Sequence, residues 1–289
     1  APYSVMNDLW MAFLLEKRGN MKQSERLFAS VKEASLDFVL PFRPETFQVL
    51  THFLKKESNW KLNYYAGLIL WAKNRKEEAR NVFQSLENIP DYAPFYLSRA
   101  NLLAWETGYD KRTDLERAVE LDPSQWRASR ALVNYFLDTG ESAEAVETAK
   151  KALKKFPGNA YLEYDYAQSL LANEQYEECL DILERITILP SEGARQGHVT
   201  YRHACNMLAA RNIEKGAFKK ALKYIEKARL WPENLGVGRP YVVDERIEDY
   251  QEALCMTEMG RKKEADRLFS KIIRFSENDE GGGSSNFTW

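Results

Sequence analysis

Three histidines and three cysteines are the first candidates for chemistry in this chain. A helical zinc pair needs ligands about one turn apart. His198 and His203 are five residues apart, which turns them to different faces, and no Cys or carboxylate pair stands ready to complete a site. They read as surface or groove histidines. Cys179, Cys205 and Cys255 lie far apart at small-residue positions, so they read as reduced core thiols and not as a disulfide or metal framework. Gly236-Val237-Gly238 lacks the Lys-Ser/Thr of a phosphate loop and follows a helix where a nucleotide fingerprint follows a strand. It reads as a loop that lets the backbone approach a neighbouring element. Glu177-Glu178 and Asp244-Glu245 read as solvated helix faces. No serine stands with a histidine in a nucleophile elbow. The expectation is no enzyme, no cofactor and no metal.

The elements that carry these residues follow from composition and spacing. Lys plus Arg number 41 and Asp plus Glu 43, a net charge of −2, and a near-neutral balance argues against a general nucleic-acid binder. The apolar run at 64–72 is far too short to span a bilayer. The start at Ala1-Pro2, without Met or an apolar leader, reads as a fragment or processed product. Its compartment stays open, cytoplasmic favoured over periplasmic.

A pair of residues at i and i+4 returns every thirty-odd residues: Ala79 and Phe83, Ala145 and Ala149, Cys179 and Leu183, Ala221 and Ile225, Ala265 and Phe269. Each pair follows, by about a dozen residues, another small residue: Gly67, Val133, Ala167, Ala209 or Ala253. Helices pack closely only where side chains are small, so this period predicts stacked helical hairpins. Glycines 19, 140, 216 and 260 fall at the turn inside a hairpin, where a positive φ is often needed. Two stretches break the period. Residues 40–50, with Pro41 and Pro44, read as a rigid connector feeding an extra helix near 44–56; residues 231–243 read as a long loop. The resulting organisation is a solenoid over 1–275 and a flexible, linker-like tail over 276–289.

This spacing resembles the tetratricopeptide repeat, with a small residue in the first helix, Ala and a bulky residue four apart in the second, and Pro90, Pro123, Pro157, Pro190 and Pro232 near unit ends. The resemblance covers nearly the whole chain and implies an all-α, right-handed superhelical solenoid of about seven hairpins. The Leu-Pro-Phe-Arg-Pro-Glu stretch at 40–45 and the Pro-Glu-Asn-Leu-Gly-Val-Gly-Arg-Pro stretch at 232–240 are similar to the repeat portion of large bacterial proteins of unknown function that place a β-rich, sugar-binding-like domain ahead of the repeats.

In such repeats the first helix of each hairpin lines the concave side. The resemblance therefore implies a groove carrying Tyr64, Leu68 and Trp71; Leu97, Asn101 and Trp105; Arg127, Arg130 and Asn134; Tyr161, Tyr164 and Gln168; His203 and Asn206; and Tyr250. Aromatics, amides and arginines mixed in this way suit peptide recognition. The match to the carboxylate clamp of chaperone-binding repeats is partial: Asn101 and Asn134 fit amide positions, but the flanking basic residues are out of order. The expected function is a protein-interaction scaffold that binds an extended peptide, or a β-rich domain of its own parent, with no nucleic acid and no membrane insertion. A carbohydrate-processing system in which the repeats shape a partner domain's cleft is the alternative. Phe287 and Trp289 are read as able to dock in a neighbouring copy.

Overall fold

The computed structural model describes residues 4–191 and 195–278. The Ala1-Pro2 start and most of the tail, with Phe287 and Trp289, lie outside the described residues. The described residues form fifteen α-helices and one short 3-10 turn, without a strand. The chain divides into two compact units, residues 1–128 and 129–289.

In the first unit, α1 (Ser4–Lys17) and α2 (Met21–Glu33) form a hairpin, as do α4 (Trp60–Ala72) with α5 (Lys76–Ser85) and α6 (Ala93–Leu102) with α7 (Lys111–Leu121). Between them α3 (Pro44–Leu54) stands as a single helix packed on both α1 and α4. Pro44 starts α3 because its missing N–H would have no partner in a first turn anyway. The Asn59 side chain caps α4 by accepting from the amides of Lys61 and Leu62. The core gathers Leu9, Leu50, Leu62, Tyr65, Phe83, Phe95 and Tyr96, all essentially without solvent contact.

The helix α8 (Trp126–Thr139) carries the boundary, and α9 (Ser142–Lys155) follows it through Gly140. In the second unit α10 (Ala160–Ala172) pairs with α11 (Tyr176–Leu183), α12 (Gln196–Glu214) with α13 (Phe218–Ala228), and α14 (Arg246–Glu258) with α15 (Lys262–Asn278). The periodic small residues Val133, Ala145, Ala149, Ala167, Cys179, Ala209, Ala221 and Ala253 are fully buried. In the first unit the reason for the period is visible at one contact: a Cβ on Gly67 would stand 2.8 Å from Cε2 of Phe83, so a larger residue in α4 would displace the ring from α5.

Six hairpins share one turn. The amide five residues on bonds back across the end of the first helix: Asn20 to the Leu15 carbonyl, Arg75 to Leu70, Glu141 to Phe136, Gln175 to Leu170, Ala217 to Asn212 and Arg261 to Met256, all at 2.8–2.9 Å. This closure needs a left-handed residue just before it. Gly140 supplies one with φ +78°, but Asn74 and Glu174 fill the same place at φ +60°. The α6–α7 hairpin differs: α6 stops at Leu102, and a longer connection runs to Asp110, whose side chain caps α7.

The loop after α13 is anchored, not open. The Ile188 amide donates to the Asn234 carbonyl at 2.8 Å, and the Asn234 side chain donates to the carbonyls of Leu183 and Ile186. Leu235 is buried, and Gly236, at φ +69°, lies so close that a Cβ there would meet the Ile188 carbonyl oxygen at 2.5 Å. The glycine of the Gly-Val-Gly stretch is therefore required by backbone approach and left-handed geometry together.

Candidate functional site

Within each unit, polar side chains join neighbouring helices, in the second unit along a row from α8 through α10 and α12 to α14. In the first unit the Trp10 indole donates to the Thr46 hydroxyl at 3.2 Å, and Glu16 pairs with His52 and with Lys56. In the second, Arg130 Nε donates to Asp165 at 2.9 Å and Tyr164 pairs with the Thr200 hydroxyl at 3.1 Å. Further along, Arg202 Nε donates to Glu248 at 2.6 Å, while Asn206 donates to the same carboxylate at 2.8 Å. Asp165 and Glu248 are almost fully buried, so each requires its cation. Burial raises the Asp165 carboxyl above its ordinary range, and Arg130 only partly offsets this.

The sequence-derived residues of the second unit fall on this row in different states. Arg130 stacks on Tyr161, 5.0 Å from guanidinium to ring centre, and Tyr161 is 60% exposed. Asn134, Tyr164 and Gln168 are half-buried, and His203 and Tyr250 are exposed. Asn206 is buried and bound to Glu248, so it holds the stack together. In the first unit Leu68, Trp71 and Leu97 pack partly buried on the core, Asn101 is exposed, and the Arg127 guanidinium sits 4.6 Å from the Trp126 ring centre.

Two residues stand elsewhere than the repeat template places them. Tyr64 is 3% exposed and sits among Phe83, Tyr92 and Phe95, because the Gly67 side of α4 presses into α5. Trp105 is 91% exposed but lies in the α6–α7 connection, since α6 ends three residues before it. His198 departs from the surface reading: it is buried, stacks on Trp231 with ring centres 3.6 Å apart, and pairs through Nε2 with the Leu230 carbonyl.

Sequence reasoning passed over Arg99, Asp114, Asp165, Arg202 and Glu248. Arg99 makes two bonds to Asp114, at 2.8 and 2.6 Å, and reaches the Glu87 carbonyl, while Tyr109 donates to the same Asp114. No local signal marks them: Asp114 stands in Lys-Arg-Thr-Asp-Leu-Glu-Arg and Glu248 in Arg-Ile-Glu-Asp-Tyr, charged stretches that read like any solvated helix face.

The second unit also holds a cavity of about 820 Å³ bounded by α12, α14 and α15. Ile213, Ile247, Leu254 and Ile272 form its apolar wall, with Tyr250 and Gln251 beside them. The thiols of Cys179 and Cys205 are each pushed up to about 12 by burial, which leaves them inert as nucleophiles at neutral pH. Among the described residues no cluster of three or more His, Cys, Asp or Glu could hold a metal ion, and no helix is long and apolar enough to cross a membrane.

Residues 136–189 match the family model described as tetratricopeptide repeat. No curated protein matches the chain by sequence. Among solved structures, the C-terminal part of a TPR repeat-containing protein from Cytophaga hutchinsonii is similar at 14% identity and a TM-score of 0.54, covering 82% of this chain and 92% of that one. A chain from the structure of Naa15/Naa10 bound to HypK-THB is similar at 18% identity and a TM-score of 0.52; 82% of this chain is covered, but only 35% of that chain. A tetratricopeptide repeat protein from Parabacteroides merdae aligns over 98% of this chain and 95% of that one, at 16% identity and a TM-score of 0.46. Residues 136–189 are thus a tetratricopeptide-repeat segment by sequence, and the chain takes the tetratricopeptide-repeat fold.

Proposed function

We propose that this chain is a non-catalytic protein-interaction scaffold whose second unit binds an extended peptide along α8, α10 and α12. The observation that carries the reading is the division of labour on this row. Asp165, Thr200, Asn206 and Glu248 are spent on helix-to-helix bonds, while Tyr161, Gln168 and His203 keep exposed or half-buried faces. An exposed aromatic gives contact area at low entropy cost, and a side-chain amide can bond a peptide backbone in both directions. Removing Arg130 or Tyr164 would loosen the stack as well as the surface, so neither makes a clean test.

The experiment pans a displayed library of random peptides against the chain and measures enriched peptides by fluorescence anisotropy. The triple variant Tyr161→Ala, Gln168→Ala, His203→Ala should lose binding at least tenfold while its helicity and melting temperature hold. Failure to enrich any peptide, or equal binding by the variant, would overturn the reading.

A further inference from the structure

The cavity between α12, α14 and α15 continues the face that carries the peptide surface. On α12, His203, Ala210 and Glu214 stand at i, i+7 and i+11, a single stripe of the helix, and the last two line the cavity. Ala210 lies about 10 Å along the axis from His203, the reach of about three residues of extended peptide. On α14, Ile247, Tyr250 and Leu254 stand at i, i+3 and i+7 and line the same space. The chemistry changes along the way. Arg130, Tyr161, Gln168 and His203 give a polar and aromatic surface, whereas Ala210, Ile213, Ile247, Leu254 and Ile272 give an aliphatic one.

The charges around the cavity differ in what they leave over. Arg202 is bound to Glu248 and Arg246 to Asp244, so these groups neutralise one another. Glu214 lines the cavity, is exposed and forms no ion pair among the described residues. It is the last residue of α12, where the helix's own partial negative charge adds to that of the carboxylate. Glu258, also exposed and in no ion pair among the described residues, ends α14 one turn beyond Leu254. Lys215, beside Glu214, is outside the lining. This end of the cavity therefore favours a cation.

We propose that the peptide bound along α8, α10 and α12 continues into this cavity with two large aliphatic or aromatic side chains at alternate positions, and with a lysine or arginine beside them facing Glu214. The inference rests on the peptide reading of that surface and adds what the peptide must contain. In an extended chain, residues i and i+2 project to the same side about 6.6 Å apart, so the pair enters one cavity together. A volume of about 820 Å³ lies within the ~300–1,000 Å³ range of pockets that enclose a ligand and has room for both. Covering Ile213, Ile247, Leu254 and Ile272 supplies affinity, because aliphatic surface gains by leaving water. Glu214 selects the sign of the neighbouring charge.

The test takes the peptides that the full chain enriches from the displayed random library. Most should carry the apolar pair at i and i+2 with Lys or Arg within two residues of it. One such peptide is then synthesised and titrated by fluorescence anisotropy. Serine at both apolar positions of the peptide should cost at least tenfold against the wild-type chain but less than twofold against Leu254→Ser. Glu214→Lys should weaken the parent peptide at least fivefold, and replacing the peptide's basic residue by Glu should recover that loss. Should Leu254→Ser lose helicity, the charge exchange decides the matter, since Glu214 is exposed. Binding that is lost in the Tyr161, Gln168 and His203 triple variant, yet unchanged in Leu254→Ser and Glu214→Lys, would overturn this inference and leave the surface on α8, α10 and α12 standing. Enriched peptides without the apolar pair would do the same, and failure to enrich any peptide would remove both readings.

Discussion

Arg202 on α12 grips the fully buried carboxylate of Glu248 on α14 across 46 residues of sequence, and the same guanidinium donates to the Asp244 carbonyl just before α14 begins. One arginine thereby fixes both the position and the starting point of the next first helix. Asn206, one turn along α12, adds a second donor to the same carboxylate. A buried carboxylate served this fully holds a single arrangement, because any slip of the helices would strand a charge.

Arg202→Ala should therefore cost about 3–5 kcal/mol, since Glu248 would be left buried without its cation. The double variant Arg202→Met, Glu248→Leu should recover much of that loss. Urea titrations of the two variants check it, and equal destabilisation by both would show that the pair's charge is not what matters.

Gly67→Ala should destabilise by about 1–3 kcal/mol, because the new Cβ meets the Phe83 ring at 2.8 Å within a fully packed contact. Adding Phe83→Leu should restore part of the loss, giving a coupling energy that distant pairs do not show. Thermal melts of the four-member cycle decide the point.

Gly140→Ala should cost about 1–2 kcal/mol, since its φ of +78° suits glycine and the space around it is open, leaving backbone strain as the cause. Asn74→Gly, at the same turn position, should be close to neutral, because asparagine already tolerates that region. Chemical denaturation of the two variants in parallel gives the contrast.

Burial in the Trp231 stack lowers the His198 pKa below its ordinary 6.5. In the unfolded chain the ring takes up its proton near 6.5, while in the folded chain it resists. His198 thus supports stability that is present above 6.5 and is lost as pH falls from there through the depressed folded value. Melting temperatures from pH 7.5 to 5 should fall more steeply for the wild type than for His198→Gln. Parallel curves would rule this linkage out.

The repeat was legible in the sequence because packing constraints act on residue size at fixed spacing. Gly67, Ala79 and Phe83 state a helix contact by themselves, and Gly140, Gly216 and Gly260 mark turns that only a left-handed residue closes. The same turn at Asn74 and Glu174 was less visible, since there the tertiary contacts impose a conformation that the residue type does not announce. Trp105 escaped the template because α6 is short, and helix length depends on what caps and covers its end.

Charge partners were hidden for a different reason. Arg130 and Asp165, or Arg202 and Glu248, lie 35 and 46 residues apart, and no local pattern tells a salt bridge in the stack from a solvated helix face. The sequence by itself determined the hairpins, their close contacts and most of their turns, because these depend on neighbours within one repeat. Only the tertiary structure decided which side chains of each first helix are consumed in joining the stack and which stay available, because desolvation acts on a side chain only once the next helix has covered it.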